Sequence, residues 1–207
     1  VFDDRNRAHT QFWADTFKRH FKKSDGRVAG EVKFNSKEPV DFRRIARQVR
    51  GFDPDIVLVL ANALDAAMVC QHLRTVGVKG RLAGSEWAVT KELRRLGGKS
   101  IHGFLIACNY PYGCQKSACL SFMERFRSRF GRDRTGLSWH GYNATSVAVQ
   151  AMRLAIRNKQ DVNKVLQQPR RYKGATSEIA LDAYGDEHLP VVIAEVDGDG
   201  LRTVFSD

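Results

Sequence analysis

The sequence predicts an α/β protein: a doubly wound, parallel-sheet lobe joined to the helical remainder of a second lobe. Three observations carry this. Residues 56–61 form an unbroken apolar run, as a strand buried on both faces requires. The first 107 residues alternate strand-like and helix-like segments, the order that builds a parallel sheet covered by helices. Beyond residue 116 the character changes to three successive helical patterns with few strands of their own.

Val1-Phe2 reads as the tail of a strand, and a helix follows over residues 9–23 with Trp13, Phe17 and Phe21 four apart. Strands usually need five or six residues, so preceding sequence is expected. Residues 27–34 alternate as a strand, and 41–50 form a helix with Phe42, Ile45 and Val49 on one face. After the strand at 56–61, residues 63–76 are helical with Ala66, Cys70 and Leu73 inward, stopped by Gly77. A short strand at 81–83, a helix at 89–96 and a strand at 101–107 complete the alternation. Residues 116–130 carry a helical apolar stripe (Cys119, Phe122, Met123, Phe126, Phe130) ended by Gly131. A longer helix over 138–158 places Tyr142, Thr145, Val149, Met152 and Ile156 on one face. A short helix at 161–168 stops at Pro169. Strands at 178–182, 191–196 and 201–205 finish the chain, separated by Gly-Asp turns. Three adjacent helices with so little sheet imply a partner sheet contributed from elsewhere.

With 207 residues and 43% apolar composition the chain buries a real core. The net charge of +11 comes from Lys and Arg dispersed over polar helix faces, and no nucleic-acid-binding motif accompanies them. A solvated basic surface, with no nucleic-acid partner, is the reading. No run of eighteen apolar residues occurs. Four cysteines lack the paired spacing of a zinc site. Cys108 and Cys114 bracket a turn-rich loop that can bring them together, and Cys119 leaves other pairings open. No nucleophile elbow, Walker loop, zincin motif or dinucleotide fingerprint is present. No enzyme activity, cofactor or metal is therefore expected.

Several segments, in order, resemble one family. They are Asp53-Pro54-Asp55-Ile56-Val57-Leu58-Val59, Val40-Asp41-Phe42, Gly77-Val78-Lys79-Gly80 and Trp139-His140-Gly141-Tyr142-Asn143-Ala144. Tyr172-Lys173-Gly174-Ala175-Thr176 and Leu181-Asp182-Ala183-Tyr184-Gly185-Asp186 follow. Together they resemble the C-terminal portion of the type I periplasmic solute-binding proteins that serve branched-chain amino-acid ABC transporters (the leucine/isoleucine/valine-binding family). The chain departs from the family at Arg7-Ala8-His9, where Tyr-Gly is usual, at Asn143 for Asp, and at Ser177 for Gly.

The resemblance implies that residues 1–107 and 190–207 make the α/β ligand-binding lobe two. Residues 108–189 make the helical side of lobe one, without its N-terminal sheet. It implies a periplasmic or extracellular protein, with a lipid anchor through a missing N-terminus, that binds an amino acid or similar small polar ligand between two lobes. Its partner would be a membrane permease. The alternative is an extracellular sensor domain of the same fold. The isolated chain is expected to self-associate through apolar faces of residues 116–169.

An amino-acid ligand needs opposite charge for its ammonium and aimed donors for its carboxylate. Gly84-Ser85-Glu86-Trp87 follows a strand at the edge where open α/β sheets hold ligands. The resemblance puts the ammonium-binding acid at Glu86, whereas the residue alone also suits a helix N-terminus. Trp87 either walls the pocket or packs. Asn62, Ala63 and Leu64 open the next helix and direct backbone N–H groups toward the cleft, Asn62 also being a natural cap. Arg7 and His9 beside the first strand either meet polar groups of the ligand or form an exposed pair. Trp139 and His140 are expected to line the cleft from lobe one.

Overall fold

The structure is a computed structural model that describes every residue except 111, 113–115, 133, 134, 188, 190, 199 and 207. The chain divides into two compact units, Val1–Cys108 with Val191–Asp207, and Asn109–Pro190.

In the first unit, β1 (Phe2–Asp3) runs into a 3-10 turn and then α1 (Arg7–Lys23). The turn is set by Asp3, whose side chain accepts from the Arg5 N–H and from both N–H and O–H of Ser36. β2 (Lys33–Phe34) lies parallel to β1, and α2 (Phe42–Gly51) is capped by Asp41. Then come β3 (Ile56–Val59), α3 (Ala63–Thr75), β4 (Arg81–Ser85), α4 (Lys91–Gly97) and β5 (Leu105–Cys108). After the second unit the chain returns through β8 (Val192–Asp197) and β9 (Gly200–Ser206). The sheet order is β3-β4-β5-β8-β9, with β3, β4 and β5 mutually parallel and the last two strands antiparallel. A parallel bridge between Phe2 and Leu60 carries β1 onto the free edge of β3.

The core of this unit follows from the apolar periodicity. Ala66, Ala67, Cys70 and Leu73 of α3 are fully buried, as are Val59, Leu82 and Ile106 of the strands. Burial pushes the Cys70 thiol up to about 12, which makes it an inert core side chain. Gly84 lets β4 lie close: a Cβ there would meet the Phe104 ring at 2.7 Å and the Val59 carbonyl at 2.8 Å.

The second unit has α5 (Ser117–Phe130) and α6 (Gly136–Asn158), which opens with a Thr135–Ser138 capping box. Next are α7 (Val162–Leu166) and the hairpin β6 (Arg170–Lys173) with β7 (Glu178–Leu181). Val147, Ala151 and Ala155 of α6 pack with Val165, Tyr172 and Ile179. Asn143 is buried in the same helix, and its Oδ1 accepts from the Ala175 N–H at 2.8 Å.

Four expectations need correction. The strand expected over 27–34 is reduced to Lys33–Phe34, because residues 28–31 find no ladder partner among the described residues. The helix expected from Val89 begins at Lys91, where the Thr90 hydroxyl caps the Glu92 N–H. The strand expected from Ile101 begins at Leu105, because Gly98–Ile101 form a 3-10 turn and Gly103 takes a positive φ of 74°. Residues 170–173, for which no strand was expected, form β6, whose alternation is hidden by flanking basic residues. On α6 the stripe Tyr142, Val149, Met152 and Ile156 is exposed, in keeping with an apolar face left for a partner sheet, and the face packed in the unit's core is Val147, Ala151 and Ala155.

The paired-cysteine expectation cannot be placed, since Cys114 lies outside the described residues. Cys108 is buried, its thiol 3.6 Å from the Val192 carbonyl. Among the described residues no helix is long and apolar enough to cross a membrane, and no group of three His, Cys, Asp or Glu could hold a metal.

Candidate functional site

In the first unit the carboxyl ends of β3 and β4 lie side by side, Val59 pairing with Gly84. Each strand leads directly into a helical turn, so the first N–H groups of those turns open on the sheet edge.

After β3, Asn62 caps α3. Its Oδ1 accepts from the Asp65 N–H at 3.1 Å, and its Nδ2 donates to Asp65 Oδ2 at 2.6 Å. Burial raises the Asp65 carboxyl above its usual range, opposed by the Asn62 hydrogen bond and reinforced by the Asp3 charge. Ala63 is buried and Leu64 exposed, so what the sequence assigned to these two rests on their backbone.

At the end of β4, Ser85 is 1% exposed and leads into a 3-10 turn over Glu86–Ala88. Its side chain makes no capping hydrogen bond. Ser85 Oγ, Glu86 Oε2 and His9 Nε2 are all buried, and none has a hydrogen-bond partner among the described residues. His9 belongs here because its ring meets the edge of Trp87, centroids 5.4 Å apart at 77°. An unmade bond at a buried polar atom costs about 1–3 kcal/mol, which makes the two at this turn and the one on the α1 ring against Trp87 candidate ligand contacts.

The sequence-derived residues therefore divide. Glu86, Trp87 and His9 come together at the end of β4. Asn62, Ala63 and Leu64 start the helix after the neighbouring strand. Arg7 is exposed at the start of α1, two residues before His9. Ser85 is the residue that sequence reasoning missed, although it lies inside the motif that named Glu86.

Trp139 and His140 lie in the first turn of α6, in the second unit. Trp139 is 5% exposed, so it is chiefly a packing residue there, its ring 5.8 Å from Tyr110 and 5.1 Å from His140. His140 Nε2 and Asn109 Oδ1 are buried without a partner among the described residues. The Tyr110 and Tyr112 hydroxyls share a hydrogen bond of 2.6 Å.

The profile of the periplasmic binding protein family matches residues 3–200. The chain belongs to that family. Solved structures give the same fold. A leucine-binding protein, LivK, from Thermotoga maritima superposes with a TM-score of 0.86 at 24% identity, covering 100% of this chain and 59% of that one. The branched-chain amino-acid transporter substrate-binding protein LivJ from Streptococcus pneumoniae, in complex with isoleucine, gives 0.80 at 14% identity, covering 100% and 59%. A solute-binding protein of an ABC transporter from R. palustris, in complex with benzoate, gives 0.78 at 14%, covering 93% and 53%. This periplasmic binding protein thus has the type I fold and spans between half and two thirds of these relatives' length. These neighbours are binding proteins, not enzymes. No curated protein matches the chain.

Proposed function

We propose that this chain is part of an extracytoplasmic solute-binding protein of an ABC transporter that takes an amino acid or similar small polar ligand between two lobes. The observation that carries the proposal is the trio of buried, unpartnered polar atoms on His9, Ser85 and Glu86. In this reading Glu86 accepts from the ligand ammonium, and Ser85 and His9 complete its polar contacts. Trp87, held by the His9 ring, walls the pocket. The first N–H groups of α3, at Ala63 and Leu64, face the ligand with Asn62 fixing their direction. Arg7 lies at the rim. In this reading the unit carrying these residues is lobe two and the other is part of lobe one, whose candidate ligand contacts are Trp139 and His140. The permease is the partner to which the ligand is delivered.

The test is calorimetric titration of the polypeptide completed to its relatives' length. The ligands are leucine, isoleucine, N-acetyl-leucine and benzoate, with mass spectrometry of any ligand released on denaturation. Binding of a free amino acid and loss of binding on N-acetylation are expected, because acetylation removes the ammonium that pairs with Glu86. Benzoate or N-acetyl-leucine binding as tightly as leucine would rule out the ammonium assignment.

A further inference from the structure

Helix α2 turns Ile45, Ala46 and Val49 into the first unit and packs on α3. The residues it leaves exposed are Arg43, Arg44, Arg47 and Arg50, with Gln48 and Gly51. Positions 43, 47 and 50 line up along the helix over about 10 Å, and Arg44 stands beside them on the same outer arc. Past the end of the helix, Arg50 borders a groove of about 600 Å³ at the amino ends of β3 and β4, lined also by Lys79, Arg81, Asp53 and Asp55. Three cations against two carboxylates leave that groove net positive.

These charges oppose the helix that carries them. The first turn holds Arg43 and Arg44 and no acidic residue, at the positive end of the helix dipole. Arg43 and Arg47 are four apart and Arg47 and Arg50 three apart, so like charges stand as neighbours. Among the described residues none of the four guanidiniums has an ion pair or a hydrogen bond. Asp41, just before the helix, accepts from the Arg44 backbone N–H instead. Basic groups elsewhere in the unit are engaged: Lys18 with Asp15 and Glu31, Arg202 with Glu195, and Arg74 with the Val78 and Gly80 carbonyls. The arginines of α2 are therefore not explained by the stability of the fold.

We propose that this face is a docking surface for an anionic lipid bilayer, with phosphate headgroups meeting the guanidiniums of Arg43, Arg44, Arg47 and Arg50. A guanidinium presents paired N–H donors that match phosphate oxygens, and a row of them along one helix matches a layer of phosphates free to move laterally and meet it. A protein partner fits this face less well. Protein interfaces gather apolar side chains at their centre and deplete charge there, whereas no apolar residue between Arg43 and Arg50 is exposed. Ile45, Ala46 and Val49 are already packed in the unit, so α2 has no apolar face to insert and docking is electrostatic, aided at long range by the net charge of +11. Docking uses none of the ligand contacts proposed above.

The test is flotation of the polypeptide completed to its relatives' length, carrying no lipid of its own, with vesicles of phosphatidylcholine alone or with about 30% phosphatidylglycerol. Two sets of substitutions remove the same charge. One is Arg43→Gln, Arg44→Gln and Arg47→Gln on α2, and the other is Arg19→Gln, Lys22→Gln and Lys23→Gln, likewise exposed, on α1. The parent should float with the anionic vesicles and not with the neutral ones, and binding should fade as salt rises from about 0.02 M to about 0.3 M. The α2 set should weaken binding at least about tenfold and the α1 set less than about threefold. Lysine at the three α2 positions should keep most of the binding. Equal weakening by the two glutamine sets, or no flotation with the anionic vesicles, would overturn the proposal. So would a loss with lysine as deep as with glutamine. Binding to soluble polyglutamate without binding to vesicles would overturn it in favour of an acidic protein.

Discussion

Two neighbouring corners of one sheet edge treat similar side chains in different ways. After β3, Asn62 uses its carbonyl on the Asp65 N–H and its amide on the Asp65 carboxylate. At the end of β4, Ser85 occupies the corresponding position before a helical turn, yet its hydroxyl caps nothing, and it and the next residue leave Ser85 Oγ and Glu86 Oε2 unpartnered. Polar groups that the fold satisfies hold it together. Those it leaves open are available to a ligand, and their cost is met by packing elsewhere.

Asn62→Ala removes a cap that the fold uses and should cost about 1 kcal/mol, read as a lower melting temperature. Ser85→Ala removes a hydroxyl that the fold does not use, and stability should stay within about 0.5 kcal/mol of the parent or rise. Equal destabilisation by the two substitutions would erase the distinction between the corners.

Much of this was legible in the sequence, and the failures have physical causes. The buried strand at β3 and the inward face of α3 follow from apolar periodicity, because each is covered by elements close by in the chain. Residues 28–31 alternate like a strand but have no neighbour in the ladder among the described residues, and alternation does not reveal whether a partner is present. On α6 the sequence marks the large apolar residues as a face for a partner sheet and names no second packing face. The face that packs is Val147, Ala151 and Ala155, since small side chains admit a close hairpin. Glu86 was singled out by its place after a strand and by the family resemblance, and it stands in the 3-10 turn after β4. Ser85 was not, because serine before a helical turn reads as a cap, and only the geometry leaves its hydroxyl unused.

The central claim is that the open corner after β4 binds the ligand, and Glu86→Gln tests it most directly. The substitution keeps the shape and removes the charge. In the completed polypeptide, titrated with the amino acid it binds best, affinity should fall at least about 30-fold, as loss of a buried charged hydrogen bond of about 2–5 kcal/mol requires. The melting temperature without ligand should hold, since Glu86 Oε2 has no partner among the described residues to lose. An affinity within about threefold of the parent, in a variant that melts like it, would contradict the account.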